Sequence, residues 1–342
     1  MRKFKGLCFC LLFFVVACTG SKDGAENTSQ TAYIQKKMVT FENLFGVSSY
    51  GIKDAWVVGY EGVIFHTGDG GAEWEQQKAP VETDFYDVCF IDSQNGWITG
   101  KSGTILHTAN GGKNWQQQIS QTEQRLFDAH FVNAQTGWAV GTLGTILHTT
   151  DGGETWLKQG FGEDRYYNGV FFIDEQQGWI VGEYGSLLYT ENGGKDWVEQ
   201  VCRDIIPEEP ELDFAPDPPT LYGVYFISPD TGWATGMDGI IIKTEDGGKN
   251  WKQLAVDAEF AIYKISIIGN KGWAIGDRAE YLVSHDSGNT WKKQNIIKTK
   301  FWLKDLAVSD ENHVWIVGAY GAILNTIDGG QNWNVLSGTF IQ

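Results

Sequence analysis

Basic residues, cysteine, proline and long apolar runs are all scarce in this chain of 342 residues, and each shortage excludes something. The chain sets 26 lysines and arginines against 43 aspartates and glutamates, a net charge of −17. A surface of that sign repels phosphate backbones and anionic headgroups, which disfavours both, and no nucleic-acid partner is expected. Five cysteines, Cys8, Cys10, Cys18, Cys89 and Cys202, fall at spacings that match no zinc motif. Five of the seven prolines crowd between residues 207 and 219, so the rest of the chain is open to regular structure. The one marked apolar run, residues 7–16, is too short to span a bilayer.

That run follows a basic start, Arg2, Lys3 and Lys5, so residues 1–18 read as a signal peptide. It ends in Val15-Val16-Ala17-Cys18, which resembles the lipobox of bacterial lipoproteins. The resemblance implies acylation of Cys18 as the new N-terminus; the alternative is an ordinary secretory signal with an incidental cysteine. Cleavage removes three basic residues and takes the net charge from −17 to −20. Residues 19–32 are polar and read as a flexible tether, with the folded body at 33–342. By the same resemblance, Thr19 after the cysteine implies an outer-membrane lipoprotein facing the periplasm in a Gram-negative host. An oxidising compartment permits a Cys89–Cys202 disulfide; two unrelated free thiols is the other reading.

What is abundant is repetition. A box of Ser or Thr, then Asp or Asn two residues on, Gly two further and Trp three beyond occurs seven times, from Thr67/Asp69/Gly71/Trp74 to Thr326/Asp328/Gly330/Trp333. Its acidic or amide positions are Asp69, Asn110, Asp151, Asn192, Asp246, Asp286 and Asp328. A second series, usually Gly-Trp, precedes each box: Trp56, Trp97, Trp138, Trp179, Trp233, Trp273 and Trp315. A period near 40 residues means one supersecondary unit repeated. Within the second copy, 85–91, 96–100, 104–108 and 115–119 read as four short strands, the first apolar on both faces and therefore covered on both. Seven such copies predict an all-β, seven-bladed β-propeller of four-stranded antiparallel blades.

The box has a physical task at the turn between the third and fourth strands. Its Asp or Asn oxygen accepts turn amides, its glycines take positive φ, and its Trp returns to the seam between blades. It resembles the Asp-box, or bacterial neuraminidase repeat, in which the box is structural and lies away from the ligand site. The first four Gly-Trp positions step by 41 residues and the next by 54. The excess, placed at 198–220, reads as an acidic, proline-rich excursion, either a recognition loop or a tolerated insertion. All four strands of the last blade fit within 302–338, leaving Tyr33 to Phe41 as an extra outer strand or a strap.

Sialidases carry Asp-boxes, but the resemblance stops there, because their Arg-Ile-Pro signature is absent from this chain. Asp-box xyloglucan hydrolases resemble two tandem propellers with catalytic aspartates across a cleft, which one propeller cannot make. His66, His107 and His148 recur before the box in three successive blades, where sheet spacing of about 10 Å keeps them from sharing one metal. No catalytic, metal or cofactor site is assigned. The arginines beyond the leader are Arg125, Arg165, Arg203 and Arg278. All fall in four-to-one or two-to-three connections, which share the propeller face opposite the boxes. Lys101, Tyr60, Tyr184 and Tyr320 fall in two-to-three connections of the same face, and Arg and Tyr are enriched at binding hot spots.

The run GWAVGTLGTILHTTDGGETW, residues 137–156, resembles the photosystem II stability/assembly factor family. The resemblance implies a seven-bladed Asp-box propeller in the thylakoid lumen or periplasm, sometimes a lipoprotein. It further implies a protein without catalytic activity that binds an assembling membrane-protein complex through an arginine-rich face. The expectation is therefore an extracytoplasmic binding scaffold for a membrane-protein complex or its assembling subunits, held by a lipid anchor. Two alternatives stand beside it: a glycan-binding or sialidase-like hydrolytic propeller using Tyr60, Tyr184 and Tyr320 as a stacking platform, and a structural surface lipoprotein with no dedicated site.

Overall fold

The computed structural model describes residues 33–35, 38–160, 162–206, 217–297 and 300–341. The expected leader at 1–18 with Cys18, the tether at 19–32 and residues 207–216 of the excursion lie outside these residues.

Seven four-stranded antiparallel sheets follow one another, each with its strands in chain order. The second blade is Phe85–Phe90, Asn95–Gly100, Ile105–Ala109 and Gln116–Gln118, within two residues of the ranges read from the sequence. The first strand of every blade is innermost: Leu44–Tyr50, Phe85–Phe90, Leu126–Phe131, Tyr167–Phe172, Leu221–Phe226, Ile262–Ile268 and Leu303–Val308. Each packs on the first strands of both neighbours, and the last packs on the first, so the ring closes. This is the seven-bladed propeller, with its apolar core divided among the seams between blades.

The Gly-Trp dipeptide has a steric cause. Phe90, Phe131, Phe172 and Phe226, near the end of a first strand, pair in register with Gly96, Gly137, Gly178 and Gly232. Each ring lies so flat against its glycine that a Cβ there would sit 2.4–2.5 Å from ring carbons. The same rings stack on Trp56, Trp97, Trp138 and Trp179 of the preceding blade, with centroids 3.4–3.7 Å apart. Where the ring is replaced, two blades release the glycine: Ser49 pairs with Ala55, and Val308 with Val314; the sixth keeps it, pairing Ile267 with Gly272, where a Cβ would instead meet Trp291 at 2.8 Å.

The boxes behave as read. Thr67 Oγ1 accepts the Gly71 amide at 2.9 Å and donates to Asp69 Oδ1 at 2.8 Å, which accepts the Glu73 amide at 3.0 Å. Asn110 does the same with its amide oxygen. Bonds from Thr290 and Asn332 hold the Asp286 and Asp328 carboxyls at about 2. The box tryptophans enter the seams: Trp115, Trp156 and Trp251 each donate to a glutamine of the previous blade, Gln77, Gln118 and Gln200, at 3.1 Å. Those glutamines donate in turn to box glycine carbonyls, Gly111, Gly152 and Gly247.

His66, His107 and His148 lie over Trp56, Trp97 and Trp138 with centroids 4.6–4.8 Å apart, one pair per blade. Cys89 and Cys202 are free thiols. Burial pushes the Cys89 thiol up to about 12, and Cys202 Sγ donates to the Trp251 carbonyl at 3.6 Å.

The excursion begins later than 198, because Val198–Gln200 form the fourth strand of the fourth blade. Its first turn, Arg203–Ile205, docks on the fifth blade, where Asp204 accepts the Gln253 amide at 3.0 Å. The final blade holds all four of its strands. Tyr33–Gln35 pair with Thr339–Ile341 in a two-stranded sheet of their own, a strap rather than a blade strand.

Candidate functional site at the channel mouth

On the face opposite the boxes, every second strand turns into the third through the same tight hairpin. Its closing bond runs from Val63 N to Tyr60 O in the first blade, and recurs from Thr104 to Lys101 and from Ile240 to Met237. The second residue of each turn is left-handed: Glu61, Ser102, Leu143, Tyr184, Asp238, Arg278 and Tyr320 have φ between +48° and +56°. A glycine at positive φ follows in six blades and Ala279, at +57°, in the other. Two successive residues of positive φ make the type I′ turn that fits strand twist. Tyr184 and Tyr320 therefore occupy equivalent positions, and Tyr60 stands one residue earlier.

At the inner end of these hairpins, each first strand shifts register at its second residue. Such a bulge bends a strand and re-aims a side chain. The bulged residues are Phe45, Tyr86, Phe127, Asn168, Tyr222, Tyr263 and Lys304, all lining one cavity of about 40 Å³ on the propeller axis. Rings continue outward from this collar: Phe45 stacks on Trp302 at 5.4 Å and meets Tyr60 edge-on at 4.7 Å, while Phe127 lies 6.1 Å from Tyr166. Tyr320 lies against Phe301 at 4.4 Å. Lys304 Nζ stands over Tyr263 at 4.6 Å and Tyr222 at 5.9 Å.

Beneath the collar lies a layer of charge. Asp87, Asp128 and Asp305 each direct Oδ2 to a backbone amide of the next blade, Ala129, Val170 and Val47, at 2.8–3.0 Å. These bonds tie inner strands that share no ladder. Lys264 of the sixth blade reaches Asp128 of the third and Asp305 of the seventh, both at 3.5 Å. Burial, then the charges of Asp128 and Asp305, pushes the Asp87 carboxyl well above its usual range. Burial acts to lower Lys264, but Asp128, Asp305 and Asp87 hold its amine well above the ordinary value. Burial lowers that of Lys304.

The basic residues chosen from sequence divide into three groups. Arg125 is exposed at the entry to the third blade, and its charge acts on the Tyr86 hydroxyl; Arg278 is exposed on its turn, 4.4 Å from the Phe260 ring. Arg165 and Lys101 are already engaged, Arg165 with Glu163 and Glu199 at 3.4 and 3.5 Å, Lys101 with Asp84 at 3.4 Å. Arg203 stands apart, lining an outer groove of about 880 Å³ with Tyr189, Asn192 and Asp246 between the fourth and fifth blades. Tyr60 and Tyr320 stand on adjoining blades and Tyr184 on the fourth, across the ring, so the three do not share a stacking platform. Among the described residues, no group of three His, Cys, Asp or Glu is placed to hold a metal ion.

The collar and its charged layer were not singled out from the sequence. Their signal is nonetheless present: Phe45, Tyr86, Phe127 and Asn168 recur at 41 residues, and Tyr222, Tyr263 and Lys304 resume that interval after the excursion.

These features define a single Asp-box propeller whose rings and buried charges converge on one end of its axis. The chain belongs to the photosynthesis system II assembly factor YCF48 family, whose model matches residues 25–121, 115–219 and 211–301. No curated protein matches the sequence. Among solved structures it is similar to "YCF48 bound to D1 peptide" (20% identity, TM-score 0.68, 89% of this chain and 98% of that one). It is also similar to YCF48 from Cyanidioschyzon merolae (18%, TM-score 0.68, 86% and 98%). An ancestral GH74 enzyme shares the fold at 14% identity and TM-score 0.70, but this chain, covered over 90%, spans only 48% of that protein.

Proposed function

We propose that this protein is a non-catalytic, extracytoplasmic binding scaffold that engages a subunit of a membrane-protein complex during its assembly, held near the membrane by a lipid on Cys18. The observation that carries the reading is family membership over most of the chain. A relative of the same fold and similar length is described as bound to D1 peptide, which supports a membrane-protein segment as the ligand class. The face opposite the boxes is the proposed docking face, because it gathers exposed Arg125, Arg278, Tyr184 and Tyr320 on rigid hairpin turns and strand entries.

The test is capture from solubilised envelope by tagged wild type beside Arg125→Glu/Arg278→Glu, with Arg203→Glu on the outer groove as the control. A membrane complex enriched by wild type and Arg203→Glu, and lost from the double variant, is the expected result. Equal enrichment by all three would move the docking face elsewhere, and enrichment by none would set the assembly reading aside. Palmitate labelling lost in Cys18→Ser is the expected mark of the anchor.

A further inference from the structure

The collar and the charge beneath it form a site of their own. Three carboxylates, Asp87, Asp128 and Asp305, and two amines, Lys264 and Lys304, line one cavity, so fully ionised the set is short of one positive charge. Lys264 satisfies Asp128 and Asp305 only at 3.5 Å. Asp305 is 5% exposed, and its Oδ1 has no hydrogen-bond partner. Asp87, 7% exposed, has no cationic nitrogen within ion-pair distance among the described residues. An uncompensated buried carboxylate is costly; it is relieved either by holding a proton, as Asp87 does, or by a bound cation that takes the proton's place.

The dimensions and walls specify which cation. A cavity of about 40 Å³ is close to one water-sized group, whose share of liquid volume is about 30 Å³. No coordinating triad suits a metal ion among the described residues. The entrance is a ring of aromatic faces, which attract ammonium groups, and Lys304 already uses two of them in this way. Phe45, Tyr86 and Phe127 form the other arc, each ring against the next with centroids 5.6–5.9 Å apart, and the Lys304 amine stands over Tyr263 and Tyr222 rather than over them.

We infer that the channel mouth is a receptor for a primary alkylammonium group, the side chain of a lysine on the partner, passing the Phe45/Tyr86/Phe127 arc to reach Asp87 and Asp305. The amine site stands on the channel geometry alone; only the identity of its donor rests on the docking reading above.

The experiment titrates n-butylammonium into the purified chain by calorimetry, with tetramethylammonium and acetate as comparisons. Expected is saturable binding of n-butylammonium, weakened at least tenfold in Asp87→Asn and in Phe127→Leu, unchanged in Glu191→Gln on the outer groove, and weaker or absent for tetramethylammonium, which has no N–H to donate. Asp87→Asn keeps an acceptor for the Ala129 amide, and a cooperative melt at or above the wild-type temperature confirms its fold. Absence of butylammonium binding, equal binding to Asp87→Asn, or preferred binding of acetate would overturn the inference. Amine binding without capture of any membrane complex would overturn the assembly reading alone, and capture without amine binding the inference alone.

Discussion

Asp87 binds its proton more tightly in the folded chain than in the unfolded one, because burial and the neighbouring Asp128 and Asp305 charges disfavour its ionised form. Above the ordinary carboxylate value of 3.8, the native state therefore holds more protons than the unfolded state, and stability falls as pH rises toward the raised folded value. Asp87→Asn should flatten that slope and raise stability at neutral pH, read as urea midpoints from pH 4 to 8; an unchanged slope would contradict the assignment. Box carboxylates act in the opposite sense. Asp286 and Asp328 are held at about 2, so their contribution is present above 3.8 and is lost as pH falls toward 2. The box hydroxyl is a separate case, since Thr149 Oγ1 accepts the buried Gly153 amide at 2.8 Å and donates to Asp151. Thr149→Val strands that amide and should cost about 1–3 kcal/mol in denaturant titration, while Thr149→Ser should cost much less.

The blade was legible because its hairpins are local: a 41-residue period, a turn box and a Gly-Trp doublet mark strand ends without long-range information. The reason for the doublet was not legible, since it depends on a phenylalanine pressed between Gly178 and the preceding blade's Trp138. This gives a test at the scale of the element. Gly178→Ala should cost about 1–3 kcal/mol through overpacking, and Phe172→Val in the same chain should recover part of it, as the natural Val308–Val314 pair does. A double-mutant cycle without coupling would refute the explanation. The collar escaped the sequence reading for a different reason. Phe45, Tyr86 and Phe127 look like ordinary apolar strand residues, and only the register shift in each first strand turns them to the axis. The arginines were placed on the correct connections by topology, but their engagement by Glu163, Glu199 and Asp84, or the withdrawal of Arg203 to the rim, needed side-chain geometry.

Across the whole molecule, a net charge of −17 sets the long-range field, while the exposed Arg125 and Arg278 on the face opposite the boxes act only nearby. A partner segment that carries lysine should therefore associate more slowly as salt rises from about 50 to 500 mM, measured by stopped flow; faster association would point to an acidic partner instead. Closure of the ring is equally distributed. Among the described residues no strand is shared between the first and last blades, and the seam rests on packing with bonds such as Val47 to Asp305 and Asn325 to the Gly70 carbonyl. Hydrogen exchange at the Val47 amide should quicken in Asp305→Ala while that of Ala129, held by Asp87, does not. The seven left-handed turn positions have a further meaning at this scale. Glu, Ser, Leu, Tyr, Asp, Arg and Tyr occupy one backbone shape without disturbing it, so the hairpin supplies the geometry and leaves the letter free. Such a ring is a set of seven rewritable surface positions, whose side chains can change one blade at a time while the hairpin backbone and the core beneath it stay as they are.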